Sequence, residues 1–288
     1  MSTQVPRLLS GLVDDAAVFP PGSAAPPDAV TDHRRHRAAW YADLVGPLLL
    51  PASLVQAGEL SGLVDPAEGF VIGLIGDTGL DRLPTALSFL PPDGVTARQV
   101  EAPVAKRGED PQPGLTELVT LAERLGGVPV YAELPLTFGL MGALDTLADT
   151  RAAGLPVAAK FRTGGLAAEL FPTPVELAAV ICACRDRELP FKLTAGLHHA
   201  IRHRDPETGF THHGFVNVLA ATLAAAGGAE LDEVAELLAA TDAVRVVERV
   251  GAHRDDERPL WVGYGSCSIP EPLADLTRLG LVNGGGEE

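Results

Sequence analysis

The sequence predicts a (β/α)8 TIM-type barrel in one domain over residues 1–282, and three observations predict it. The chain has 288 residues, 46% of them apolar, which is enough to bury a large core and fits the usual size of one such barrel. Short, apolar, β-rich runs recur with helical stretches between them, the pattern of repeated βα units. The ends of these runs fall roughly thirty residues apart until the last interval, close to one βαβ step.

The expected strands are Ala16–Phe19, Pro47–Leu50, Phe70–Ile75, Ala97–Glu101, Val128–Glu133, Val157–Arg162, Phe191–Thr194 and Pro259–Tyr264. Asp14 and Asp15 precede the first of these, and the boundary of that strand decides whether they reach the barrel mouth or its opposite end. Two helices carry clear start signals. Thr173-Pro174-Val175-Glu176 combines an N-cap hydroxyl, a first-turn proline and a capping-box glutamate before Leu177–Arg187, and Ser268-Ile269-Pro270-Glu271 repeats the arrangement before Leu273–Leu279. The loops Pro20–Pro27 and Pro103–Gly114 follow strands and so belong to the face where barrel chemistry is found. Between the seventh and eighth strands, Thr194 to Pro259 is an enlarged segment. It holds a His-rich loop, helices near Phe215–Ala226 and Leu231–Ala240, and a strand-like Ala243–Val247. Asn283–Glu288 reads as a solvated tail.

A formal charge of -16 repels polyphosphate, so nucleic acid and anionic membrane surfaces are not expected partners. No apolar run approaches the ~20 residues that span a bilayer, and no secretory leader is recognisable, so a cytoplasmic location is expected. Cys182, Cys184 and Cys267 form no even framework and are read as reduced thiols. Self-association is left open.

The chemistry concentrates at strand ends. In Ala158-Ala159-Lys160-Phe161-Arg162-Thr163-Gly164-Gly165 the alternation of a strand puts Lys160 and Arg162 on one face. Two interior cations need an anionic partner or a catalytic reason. Lys192, in Phe191-Lys192-Leu193-Thr194-Ala195-Gly196, should lie beside Lys160 on the neighbouring strand. A second ammonium and partial desolvation lower a lysine pKa until the free amine attacks a carbonyl. The other reading of the same pair is binding of a substrate phosphate or carboxylate.

Lys160-Phe161-Arg162-Thr163-Gly164, Lys192-Leu193-Thr194-Ala195-Gly196 and Gly263-Tyr264-Gly265-Ser266 stand in the order of three strand-end motifs of the deoxyribose-phosphate aldolase type of class I aldolase, which the sequence resembles over about a tenth of its length. The resemblance implies that Lys160 is the Schiff-base lysine, that Lys192 depresses its pKa, and that Gly164, Gly196, Gly265 and Ser266 hold a phosphate. The sequence departs from that family in the long gap before the last strand, in Arg162 at a usually small position, and in having glutamates where an aspartate is expected on an earlier strand.

Glu101 and Glu133 each close an expected strand and are candidates for proton transfer or for counter-ions to the cations. Tyr131 shares a strand face with Glu133 and could orient it. His198, His199, His203, His212 and His213 crowd into one loop. His198 is assigned proton transfer and His199 anion binding, without a metal, since neither a His-x-His at the first strand nor a His-Glu-x-x-His is present. Gly165, Ser266 and Ser268, with the amides before the last helix, complete an anion cradle, and Glu101 and Arg162 are added to the substrate-binding set. Cys267 is read as a small buried filler. The leading expectation is a cofactor-independent, aldolase-like lyase acting on a small anionic carbonyl substrate. The alternatives are a hydrolase or isomerase working through His198 and His199, with or without a metal, and a barrel that binds a ligand without catalysis.

Overall fold

A parallel strand covered by helices outside and by side chains inside is buried on both faces, and it reads as a continuous apolar run. Phe70-Val71-Ile72-Gly73-Leu74-Ile75 is such a run, and every residue in it is buried or half-buried. The computed structural model describes residues 5–65, 67–91 and 93–283. It contains β1 (Val13–Asp15), α1 (Pro26–Ala38), β2 (Val45–Pro51), α2 (Ala52–Gln56), β3 (Phe70–Ile75), α3 (Leu83–Ser88), β4 (Val95–Pro103) and α4 (Gln112–Arg124). There follow β5 (Val130–Glu133), α5 (Leu140–Ala152), β6 (Val157–Arg162), α6 (Pro174–Arg185) and β7 (Phe191–Thr194). The enlarged segment carries the hairpin β8 (His203–Arg204) and β9 (Thr211–His212), then α7 (Phe215–Ala226), α8 (Leu231–Ala239) and α9 (Ala243–Ala252); β10 (Trp261–Ser266) and α10 (Pro270–Arg278) end the fold.

The strands β1 to β7 and β10 pair in parallel and close into an eight-stranded barrel, with β10 lying between β7 and β1. This is the (β/α)8 barrel expected from the sequence. The capping box at α6 is present in both directions: the Thr173 hydroxyl accepts the Glu176 N–H at 3.2 Å, and the Glu176 carboxylate accepts the Thr173 N–H at 2.7 Å. At α10 the expectation is only half met. The Ser268 hydroxyl accepts the Glu271 N–H at 3.3 Å, but the helix starts at Pro270 with Ile269 as its N-cap, and Glu271 turns toward His198 instead of closing the box.

Two strand expectations are corrected. The first strand is Val13–Asp15, not Ala16–Phe19, because Ala16 onward turns over: Asp15 Oδ1 accepts the Ala17 N–H and Ala16 O accepts that of Phe19. The strand-like Ala243–Val247 is the start of α9, where the Asp242 carboxylate caps Val244 N–H at 3.1 Å and Val246 and Val250 share the buried face. Its β-branched residues reflect packing at helical spacing. Of the expected tail Asn283–Glu288, Asn283 is exposed and residues 284–288 lie outside the described residues.

The enlarged segment is bound to the barrel through α7, which is buried from Phe215 to Ala225. A helix apolar on all sides needs cover on all sides, and α6, α8 and α9 pack against it. Its one amide, Asn217, is fully buried and fully used, accepting Arg202 N–H and donating to Leu237 O and Ala240 O, each at 2.8 Å. No helix among the described residues is long and apolar enough to cross a membrane.

The seam between the first and last strands is tied at its amino end by Arg258. Its guanidinium donates to the carbonyls of Leu8, Ser10, Trp261 and Val262 at 2.6–3.0 Å. Arg258→Ala strands several of these acceptors in a half-buried place, so it should lower the unfolding free energy by about 2 kcal/mol and the thermal midpoint by roughly 4 °C. A midpoint equal to that of the wild type would show that water replaces the guanidinium without cost.

Candidate active site

Alternation along each strand decides which side chains enter the barrel. It sends Asp14 inward and Asp15 outward, where Asp15 meets the buried His33 of α1 at 3.0 Å. It also brings Gln99 and Glu101 of β4, Tyr131 and Glu133 of β5, Lys160 of β6 and Lys192 of β7 together in the interior. Lys160 and Lys192 are direct cross-strand partners, as expected, and Glu133 is the partner of Lys160 on the other side. Room for these long polar groups comes from glycines facing them. A Cβ at Gly46 would collide with the Asp14 carboxylate, and one at Gly73 would press on Gln99 at 3.0 Å.

The ionic groups form one chain of alternating sign. Lys192 contacts Asp14 and Glu101; Glu101 turns its other oxygen to Lys160 at 2.9 Å; Lys160 reaches Glu133 at 2.8 Å; and Glu133 meets Arg162 at 3.1 Å. Gln99 donates to Asp14 at 2.7 Å and to Glu101 at 2.8 Å, bracing the two acids. Three carboxylates thus face three cations. Exposure rises along the chain, from Lys192 and Glu101 at 1% to the Arg162 side chain at 44%, so the chain begins in the core and ends at the barrel mouth.

The electrostatics follow from this order. Burial opposes ionisation of Glu101, but Lys160 and Lys192 together outweigh it and hold the carboxyl at about 2. Burial likewise disfavours the Lys160 ammonium, yet Glu101 and Glu133 overcome it and hold Lys160 above the ordinary lysine value. Lys192 is raised in the same way by Asp14 and Glu101. The expectation that Lys192 leaves Lys160 with a depressed pKa is therefore corrected: the carboxylates of Glu101, between the two ammoniums, and Glu133 reverse the sign of the net shift. At the ends of the chain, burial outweighs Lys192 and raises the Asp14 carboxyl, while Lys160 and then Arg162 outweigh burial and lower that of Glu133. Tyr131 lies beneath Lys192, whose Nζ is 5.2 Å from the ring centroid, and does not orient Glu133.

Glu133 and Arg162 open onto a pocket of about 180 Å³ over the ends of β4, β5 and β6. Its walls are apolar at Pro103, Leu134, Pro135, Leu136 and Leu170 and charged at Arg107, Glu169 and Glu176, which the expectations missed. Arg107 donates to Glu169 O at 3.0 Å. It belongs to the loop after β4, the one mixing proline, glycine and charge.

The other expected residues lie elsewhere. Glu101 is under the mouth between the lysines, since β4 continues two residues past it to Pro103. His198 and His199 form a second group over β7 and β10: His198 Nδ1 is 3.4 Å from Glu271 and 3.9 Å from Cys267 Sγ, and His199 Nδ1 is 3.4 Å from Asp275. Cys267 is half-buried. His203 stacks on His212 at a centroid distance of 5.2 Å and meets His199 edge to face at 4.7 Å. Among the described residues no group of three His, Cys, Asp or Glu side chains is arranged to hold a metal ion.

The glycine turns expected to cradle phosphate are packed against each other. A Cβ on Gly164 would lie 2.7 Å from Gly196 Cα, and Gly196 itself has φ +76° with Thr163 O in the way of any side chain. Gly165 gives its space to Leu170, and Gly265, inside β10, gives its space to Leu49. The Ser266 hydroxyl donates to Ser268 O at 2.7 Å, and that of Ser268 accepts from α10. These groups close turns.

Glu101→Gln should cost about 3 kcal/mol at pH 7, because it removes the anion between two buried ammoniums. The Glu101 carboxyl is depressed in the folded protein from an ordinary 4.5 to about 2. Its contribution is therefore complete above pH 4.5 and disappears as the pH falls through about 2. Denaturant unfolding of both proteins from pH 7 to pH 2 should show the gap closing toward the acid end; a gap independent of pH would remove the ionic explanation. The chain matches no protein-family model, no curated protein and no solved structure at a significant level.

Proposed function

We propose that the chain is a cytoplasmic, aldolase-like lyase that forms an imine at Lys160 with a small anionic carbonyl compound. The observation that carries this reading is the 2.8 Å contact between Lys160 Nζ and a Glu133 carboxylate that itself lines the mouth pocket beside Arg162 and Arg107. Burying two lysines and three acids is expensive, and such groups gathered at the carboxyl ends of barrel strands fit a catalytic use.

In the resting protein Lys160 is an ammonium and cannot attack. A substrate carboxylate or phosphate competes with Glu133 for the Arg162 guanidinium. Relieved of one of its two cations, Glu133 becomes a stronger base and takes the Lys160 proton. The free amine adds to the carbonyl carbon, Glu133 returns the proton to the carbinolamine oxygen, and water leaves to give an iminium. Glu133 then takes the β-hydroxyl proton as the carbon–carbon bond breaks and an aldehyde departs. The electron pair passes to the iminium as an enamine, whose protonation on carbon and hydrolysis free Lys160. Glu133 thus holds the proton moved between the amine and the departing oxygens. Glu101 keeps Lys192 and Lys160 apart in charge throughout, a positioning role. Nucleic acid and membrane surfaces do not enter this reading.

A second reading rests on His198, whose imidazole lies between Cys267 and Glu271 at the end of β10. It is a hydrolase or isomerase using that imidazole for proton transfer, with the lysines binding the substrate.

Borohydride treatment in the presence of pyruvate, acetaldehyde or glyceraldehyde 3-phosphate should add one reduced adduct, mapped by mass to Lys160. Lys160→Arg should abolish the adduct while the protein stays folded by circular dichroism. No adduct with any of these compounds, together with loss of turnover in His198→Ala, would replace the imine reading with the second one.

A further inference from the structure

Next to the mouth pocket lies a second hollow, an open groove of about 400 Å³ between the amino ends of α5 and α6. Its lining is almost wholly apolar: Leu136, Leu140 and Met141 from the β5–α5 side, Ala179 and Val180 from α6, with Gly139 and Gly142 leaving the floor open. The two hollows share Leu136 and Glu176 in their walls. Around the groove the chain exposes large apolar side chains, Phe138 at 90%, Val175 at 57% and Met141 at 46%, in a fold that buries most others of their kind. Thr137 and Glu176 are the polar residues of the lining.

We infer that this groove is a subsite for the apolar tail of the ligand whose anionic head lies at Arg107 and Arg162. The inference rests on the anionic substrate of the proposed function and not on the imine. The substrate class is therefore an amphipathic acid, with a charged head, a carbonyl within reach of Lys160, and an aliphatic or aromatic extension that crosses Leu136 into the groove. The pocket and the groove share Leu136 and Glu176 in their walls, so the apolar surface next to the head site is the groove. Charge separates the two ends: the guanidiniums of Arg107 and Arg162 fix the head, and the groove offers the tail burial without a charge to desolvate except Glu176. That carboxylate is already occupied in the α6 capping box.

The probe is a series of straight-chain alkanoates from butanoate to octanoate, with affinities read by ligand-observed NMR on the intact chain. Alkanoates carry a head and a tail but no carbonyl that could form an imine. Each added methylene should tighten binding about twofold to fourfold until the groove is filled. Ala179→Phe should flatten this dependence, because Ala179 lines the groove from α6 and a ring there fills it. Met141→Asp, on an exposed position that tolerates charge, should reduce the octanoate-to-butanoate affinity ratio about tenfold or more. A flat series in the wild type overturns the subsite even if Lys160 is trapped by borohydride. A rising series unchanged in both variants overturns it as well. Sedimentation of the wild type as a dimer that Met141→Asp dissociates would make the face a contact between copies and overturn the subsite. A rising series lost in the variants, with no borohydride adduct, keeps the subsite and removes only the imine.

Discussion

Glu101 holds two buried ammoniums, one on each carboxylate oxygen, and the polar interior of the barrel depends on that bridge. Lys160 and Lys192 are neighbours across β6 and β7, where like charges in a low dielectric repel strongly. With a carboxylate between them each lysine is instead held above its ordinary pKa, and the repulsion becomes a chain of alternating charges from Asp14 to Arg162. Net charge in the core stays near zero. The desolvation of so many ions is still a cost that apolar residues would avoid, so the arrangement makes more sense as machinery than as a source of stability.

The rest of the barrel accommodates this chain. Long polar side chains come from β1 and from β4 to β7, and the adjacent strands β2 and β3 yield space to Asp14 at Gly46 and to Gln99 at Gly73. The interior is therefore lopsided, ionic toward one wall and lean toward the other. Above it the mouth divides. Over β4 to β6 the ion chain surfaces at Glu133 and Arg162 and meets the pocket with Arg107; over β7 and β10 the enlarged segment folds down its histidine hairpin, anchored by α7 and Asn217. Burial pushes the His203 and His212 imidazoles down, while His198 and His199 lie beside the Glu271 and Asp275 carboxylates. A single barrel thus presents an imidazole half and an ionic half, the latter continuous with the charged core.

Much of this was legible along the chain. The apolar runs of β3, β6 and β7 could be delimited to the residue because each is a continuous strand between turn signals, and the Thr173–Glu176 box marked α6 by its own chemistry. The pairing of Lys160 with Lys192 followed from two strands of similar register, and the acids Glu101 and Glu133 were recognisable as partners for interior cations. The first strand was not legible: three residues, two of them aspartates, carry no apolar periodicity, so Asp14 could not be assigned to the core. Ala243–Val247 misled because valines suit both a strand and the buried stripe of a short helix.

The sequence by itself determined that this protein is a (β/α)8 barrel with basic and acidic residues at its strand ends, since period, length and alternation are local properties. Only the tertiary structure decided what those residues do to one another. Glu101 comes from β4 and the lysines from β6 and β7, and whether a carboxylate lies beside or between two ammoniums sets the sign of their pKa shifts. The same holds for the glycines, which as a sequence suggest an anion cradle and in space serve the close approach of two turns. Charge coupling falls off within a few ångströms and burial depends on every surrounding element, so neither can be computed from spacing along the chain.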